Sequence, residues 1–470
     1  MGAWCEAEGY PLAFGLFDGR SVFANTTKQP NTLWFSQSND LLNFKLNSWV
    51  EGVSEVEDNN AITVTLNATQ IEPIYWLSGQ RKLVVGTAGG QWVVESSGAV
   101  VTPSDISAKQ HTEASAGNLA AIRVNEVTLF ADRSQREISD IGFRFDDDAF
   151  VATDLTILAD HIFRSKIEGM AYQRRPLSNA WCRRADGRIS VLSYNRQHNV
   201  LGWAPQILGG SFGAGDAVVE SVAVIPGAVV AGGRLFDSDE RGEVWAIVKR
   251  TVNGGTVRYI EVFEGNFEGP LREDYTTEAL WRTAVIAAQK DAVYSDSAVV
   301  YDGSAITAVT GYDHLEGETV EVLADGIPIG TKTVASAGFT LSTAASKITG
   351  GLAYTHKYES LKMAVGAQQG TSVNKRKVVS HVGLILLDSG KFSVTSVSYD
   401  DQDGRREKGL YETTFDNTAV SGTTPVFSGE TEPIALEGVW SSDERIYVQG
   451  SAPLPFTILG LAPRIDTKER

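Results

Sequence analysis

The histidines are the natural first place to look for acid–base or metal chemistry, and none of the six offers it. His111, His161, His198, His314, His356 and His381 have no partner at metal-ligand or zincin spacing. His161 lies in a stretch of helical periodicity and His198 in a polar turn, where each reads as structural. Asp146-Asp147-Asp148 would present three carboxylates to a cation. Consecutive residues of a strand point to alternate faces, so a solvated loop accounts for them better. Gly86-Thr87-Ala88-Gly89-Gly90 is glycine-rich but lacks the Lys-Ser/Thr ending of a phosphate loop, and no helix follows; a hairpin turn explains it. No G-x-S-x-G elbow occurs. Asp and Glu number 58, and nothing selects one pair for glycoside cleavage. Trp34, Trp76, Trp92, Trp181, Trp203 and Trp245 could line a sugar site, but they sit within strands, where inward packing is the default. Lys375-Arg376-Lys377 reads as a solvated strand end, with contact to an acidic neighbouring subunit as the sharper alternative. Cys5 and Cys182 form no C-x-x-C pair and suggest neither a zinc site nor a disulfide framework; Cys182 reads as core. No catalytic, cofactor-binding or metal residue is therefore expected, and channel-lining and interface residues are not readable.

The elements that would position any site are strands. Trp76-Leu77, Lys82–Thr87 and Gln91–Glu95 are short runs rich in Val and aromatics, broken by Gly turns. The scheme recurs at roughly forty-residue spacing, which points to stacked or radial β units such as propeller blades. About five units are expected, near 12–47, 61–95, 119–144, 167–205 and 218–264. In the first, Asp18-Gly19-Arg20 is a hairpin turn between Leu12–Phe17 and Ser21–Ala24. The fourth has Met170–Tyr172, Ala180–Arg183, Ile189–Tyr194 and Val200–Trp203, the strand content of one blade. Asp154–Phe163 breaks the pattern: Leu155, Leu158, Ala159 and Ile162 fall at helical spacing, with Asp154 placed to cap a helix.

With 470 residues, two or three domains are expected, and 42% hydrophobic with 21% charged residues fits a folded chain. The 46 glycines accord with many turns and few helices. The fold class is mainly β: propeller-like repeats over 1–265, a linker at 266–289, a β-sandwich or barrel at 290–400, and a C-terminal β segment at 401–470 with a return to the propeller as one option. Acidic, glycine-bearing loops are expected at 400–409 and 421–432. The net charge of −17 argues against a protein that grips nucleic acid through phosphates, though not against one that lets it slide past. No apolar run is long enough to span a membrane as a helix, and no signal peptide or myristoylation pattern is expected at the start.

A set of short motifs then matches one family. They are Gly9-Tyr10-Pro11, Asp18 to Ala24, Gln29-Pro30-Asn31-Thr32-Leu33-Trp34-Phe35-Ser36, Asp58-Asn59-Asn60-Ala61-Ile62 and Val84-Val85-Gly86-Thr87. The match continues through Gly169–Gln173, Trp181-Cys182-Arg183, Tyr194-Asn195-Arg196, His314–Gly317 and Val322–Gly326. Together they resemble the nozzle proteins of short-tailed bacteriophages, also called tail tubular protein B, over nearly the whole chain. The resemblance implies a β-propeller-containing virion subunit, made in the host cytoplasm, that assembles as a ring, commonly a hexamer. It implies docking on a tail adaptor or gatekeeper beneath the portal, attachment of tail fibres or spikes, passage of double-stranded DNA without specific binding, and no enzyme activity or cofactor. In longer relatives the segment resembling Gly2–Glu6 is internal, so the resemblance leaves open whether the propeller closes within this chain or takes strands from elsewhere. Two other classes remain beside this reading: a β protein that binds or cleaves host surface glycans, and a monomeric β-repeat interaction protein.

Overall fold

The structure, a computed structural model, describes residues 4–50, 53–98, 100–225, 242–364, 366–367, 370–371, 373, 375–399, 406–408, 413–415 and 426–468. Of the loops expected to be acidic, residues 400–405, 409 and 421–425 lie outside the described residues. The chain is mainly β and divides into two compact units. The first comprises Met1–Gln206, Val218–Val248 and Ile260–Phe263; the second comprises Ile207–Ala217, Lys249–Tyr259 and Glu264–Arg470.

The first unit is a succession of antiparallel meanders. Sheet one joins β1 (Ala13–Phe17), β2 (Arg20–Ala24), β3 (Thr32–Phe35) and, past the small hairpin β4 (Ser48–Val50) and β5 (Val53–Glu55), β6 (Ile62–Thr65). Sheet two is β7 (Ile74–Gly79), β8 (Leu83–Thr87), β9 (Gly90–Glu95) and β10 (Ser107–Thr112). Sheet three is β11 (Ile122–Val124), β12 (Val127–Ala131), β13 (Ile138–Arg144) and β14 (Ala149–Asp154). Sheet four is β15 (Ile167–Gln173), β16 (Asn179–Arg184), β17 (Ile189–Asn195) and β18 (Val200–Gln206). After a two-stranded ribbon of the second unit, β19 (Ser211–Phe212) and β20 (Gly215–Asp216), a three-stranded sheet follows: β21 (Val218–Ile225), β22 (Glu243–Val252) and β23 (Gly255–Phe263). The first residues of β22 and the last of β23 belong to this unit, and the rest of that hairpin to the second.

The core of this unit lies between successive sheets. Phe17, Val22, Leu33 and Phe35 of sheet one pack with Leu83, Val85 and Trp92 of sheet two. Trp76, Val84 and Val93, on the opposite face of sheet two, pack with Phe130, Ile141 and Phe150 of sheet three. Leu129 and Ile138 of sheet three then meet Ala180, Cys182 and Leu192 of sheet four. Strict alternation along β8 sends Leu83 and Val85 one way and Val84 the other, so β8 is buried along its whole length. At roughly 1.5–3 kcal/mol per large apolar side chain removed from water, these shared layers hold the sheets together. Polar ties run between them as well: Asn25 Nδ2 donates to Ile74 O at 2.8 Å, and Ser78 and Thr128 hydroxyls meet at 2.6 Å. Tyr194 Oη donates to Asp140 Oδ2 at 2.6 Å between sheets four and three.

The expected helix at Asp154–Phe163 is corrected. Strand β14 runs to Asp154, and the following residues form consecutive turns. Their backbone bonds span three residues: Ala159 N to Thr156 O at 2.7 Å, Ile162 N to Ala159 O at 2.8 Å and Phe163 N to Asp160 O at 3.1 Å. Asp154 does cap, with Thr156 N donating to its Oδ1 at 2.7 Å, but it closes a turn. Leu155, Ala159 and Ile162 are buried as the spacing predicts, whereas Leu158 is 88% exposed.

In the second unit the one α-helix among the described residues, α1 (Glu278–Gln289), lies inside the stretch read as a linker. Thr277 caps it, accepting from Leu280 N, and Glu278 pairs with Arg282 at 2.8 Å. A four-stranded antiparallel sheet follows, in the spatial order Asp296–Thr310, Gly338–Leu352, Thr319–Ala324, Ile327–Thr333. The Asp325-Gly326 turn joins the last two, with Asp325 at φ 49°. Farther on, Lys377–Ser389 pairs with Thr457–Thr467, and Phe392–Tyr399 pairs with Asp443–Gly450. Val382 and Leu384 of one sheet share a core with Val394, Ile446 and Val448 of the other, a sandwich arrangement. The closing strands thus pair inside the second unit.

Candidate functional site

The motif residues singled out by the sequence build scaffold. Arg20 follows the Asp18-Gly19 turn, and β2 carries its side chain inward to 2% exposure. Its Nη1 donates to Ser36 O and to Asn60 O at 2.7 Å each, and its Nη2 donates to Asp58 O at 2.9 Å. The guanidinium therefore ties together three of the matched motifs: the Asp18–Ala24 hairpin, the end of Gln29–Ser36, and Asp58–Ile62. Burial lowers its affinity for the proton below the ordinary arginine value, and nearby Asp18 offsets part of that. Gly86 gives Trp76 its place: a Cβ there would stand inside the indole ring. Thr87 closes the following hairpin, its Oγ1 donating to Gly90 O at 2.6 Å and accepting from Gly90 N at 3.1 Å.

The tryptophans fall where strand packing predicts. Trp34, Trp76, Trp92 and Trp181 are buried, and Trp203 and Trp245 half-buried. Trp203 Nε1 donates to Leu155 O at 2.8 Å. Trp181 packs on Phe263 with ring centroids 4.8 Å apart. Asp146, Asp147 and Asp148 are exposed on the β13–β14 turn, and the described residues hold no cluster of His, Cys, Asp and Glu with metal-site geometry. Cys182 is buried, which pushes its thiol up; Cys5 is half-buried. His161 and His198 are exposed. His314 Nε2 lies 3.0 Å from Ser297 O.

Two titratable groups to which sequence reading gave no role lie in the second unit, Glu444 buried and His356 half-buried. Glu444 is fully buried, and burial pushes its carboxyl up to about 8. His356 stacks on Phe456, centroids 4.7 Å apart, and burial pushes its imidazole down to about 4. Lys377, read as part of a solvated strand end, is fully buried, because its strand begins inside the sandwich; only Arg376 of that cluster is exposed.

Two adjoining clefts lie at one end of sheets one to three. The larger, about 320 Å³, is lined by Phe17, Asp18, Arg81, Lys82 and Glu95 among others. The smaller, about 190 Å³, is lined by Arg81, Lys82, Phe143, Asp148 and Phe150. Lys82 pairs with Glu95 and holds that carboxyl below its ordinary range. A glycoside-cleaving acid needs the opposite shift, so Glu95 is suited to charge pairing and not to proton donation.

An apolar surface without an assigned role is the outer face of sheet one along β1. Along β1, Ala13 and Phe17 face the core, while Leu12, Phe14 and Leu16 are 78%, 57% and 56% exposed. Phe14 packs on Phe23, centroids 5.0 Å apart, and Phe23 leads to Trp4 and Phe44 at 5.0 and 5.8 Å. Trp4 covers Trp34 edge-on at 6.0 Å.

The molecule so defined is a mainly β protein of successive antiparallel meanders joined to a β-sandwich unit. No protein-family model matches the chain, and no curated protein does. Among solved structures, human WBSCR16 is similar over 52% of this chain and 61% of its own, at 12% identity and a TM-score of 0.30. A Trypanosoma rangeli sialidase is similar over 95% of this chain and 92% of its own, at 10% identity and a TM-score of 0.24. A luciferin-regenerating enzyme is similar over 49% and 87%, at 12% identity and a TM-score of 0.18. Similarity at these scores carries no argument about activity.

Proposed function

We propose that this chain is a structural subunit of a phage tail, one protomer of the nozzle or tail-tube ring through which the genome leaves. The observation that carries the reading is the Arg20 clamp. Residues that resemble the nozzle family in three separate motifs come together around one buried guanidinium and hold backbone, as scaffold residues do. The buried tryptophans agree with it, since a glycan platform would display its rings. Electron-microscope class averages of the purified chain are expected to show rings with a central opening wide enough for duplex DNA. A monodisperse monomer that depletes bacterial surface polysaccharide from solution would overturn the reading.

The paired clefts favour a second reading, a β protein acting on host surface glycans. Arg81, exposed on the β7–β8 turn beside Phe143 and Phe150, suits an acidic sugar. On this reading Arg81→Ala lowers affinity for an acidic capsular polysaccharide at least tenfold; unchanged or absent binding removes it.

A further inference from the structure

Sheets two and three have both faces covered: each lies between two apolar layers. Sheet one has the same construction but only one fully covered face. Its other face is apolar in the same way: Trp4 and Phe44 pack over Phe23 and Trp34, and the side along β1 lies open. Leu12, Phe14 and Leu16 form a row along β1, Tyr10 continues the alternation at 65% exposure, and Phe23 stands beside Phe14 on β2. The Ser21 hydroxyl donates to Leu41 O at 2.6 Å, which brings the Leu41-Leu42 loop to the same face, with Leu42 91% exposed. A folded chain that leaves these side chains in water forgoes roughly 1.5–3 kcal/mol for each one it could bury.

We propose that this face is a contact between copies of the chain. The inference rests on the ring reading and names the surface that such a ring would use. The area of the face fits a second copy as the occupant, and its lack of charge permits one. At about 200 Å² for a fully exposed large side chain, Tyr10, Leu12, Phe14, Leu16, Leu41 and Leu42 offer on the order of 800 Å², close to one partner's share of a standard interface. Two copies each carrying −17 repel over most of their surfaces. Contact is favoured where no charge must be desolvated, and none of these six side chains is charged. Aromatic and leucine side chains without charge are what the buried centre of such an interface requires.

The test compares the whole chain with its Phe14→Glu/Leu16→Glu variant by analytical ultracentrifugation over a range of concentrations. Leu158→Glu, a more exposed apolar site on another segment, serves as the control. Circular dichroism and melting establish that the variants fold. The expected result is an oligomer for the unaltered chain and for Leu158→Glu, with the double variant monomeric or dissociating at a concentration at least tenfold higher. An oligomer that survives in the double variant overturns the contact and leaves the ring reading standing, with another protein as the occupant of the face. A monomer for the unaltered chain at every concentration overturns both. Hydrogen exchange on the unaltered chain decides the matter if the double variant does not fold. Amides of β1 that gain protection as concentration rises support the contact, and amides that stay unchanged while the chain oligomerises overturn it.

Discussion

Arg20 donates to three carbonyls in two segments distant from it, those of Ser36, Asp58 and Asn60, two of the bonds being fully buried. Removing the side chain leaves several buried acceptors unpaired at once. Arg20→Ala is therefore expected to lower unfolding free energy by about 2–4 kcal/mol, read by chemical denaturation, with Arg20→Lys recovering only part because an ammonium lacks the fork. Gly86 fails by the opposite route. Gly86→Ala drives a methyl into the Trp76 ring, and overpacking of this kind costs about 1–3 kcal/mol. It is expected to shift tryptophan emission as the indole is displaced from between sheets two and three. Neither role could be read from sequence in full. The Asp18-Gly19-Arg20 turn is legible, but the partners of Arg20 are backbone carbonyls 16 to 40 residues away, which no side-chain pattern announces.

At the scale of the element, the C-terminal sandwich carries two opposed pH limbs. Glu444 titrates near 8 when folded and near 4.5 when unfolded, so the folded state holds the extra proton between those values. Its contribution is complete below about 4.5 and is lost as pH rises towards 8. His356 titrates near 4 folded and near 6.5 unfolded, so its contribution is complete above 6.5 and is lost as pH falls towards 4. The two slopes oppose each other between 4.5 and 6.5, and stability should be level there, falling on either side. Melting temperature measured from pH 4 to 8 checks this. Glu444→Gln is expected to flatten the alkaline limb and leave stability rising with pH up to about 6.5, and His356→Phe to flatten the acid limb and leave stability falling with pH from about 4.5. The sequence hid both groups: Asp443-Glu444-Arg445 looks like a solvated charge run, and a lone histidine on a strand announces nothing. Strand identity was far more legible. The hairpins around Asp18-Gly19, Ala88–Gly90 and Asp186-Gly187 stand where alternation and glycine place them. Strand β10, Ser107–Thr112, escaped because it is polar and lies at a sheet edge. Strand β14 and its turns imitated a helix because turns of three residues space apolar side chains nearly as a helix does. Helix α1 is hard to see in the sequence because a glycine-bearing, acidic approach makes its surroundings resemble a linker.

For the whole molecule, charge sets the expectation about DNA. A chain of net charge −17 should not retain a duplex. Gel retardation with duplex DNA at low salt is expected to show no shift, and a dissociation constant tighter than about 10⁻⁶ M would contradict passage without binding. The division into two units has a consequence of another kind. The polypeptide passes from one unit to the other at five points, after residues 206, 217, 248, 259 and 263, and the β22–β23 hairpin belongs to both. No single junction in this region separates one complete unit from the other. A recombination event that replaced one half of the gene would break the hairpin or orphan a strand, so the two units are constrained to be inherited, and to diverge, together.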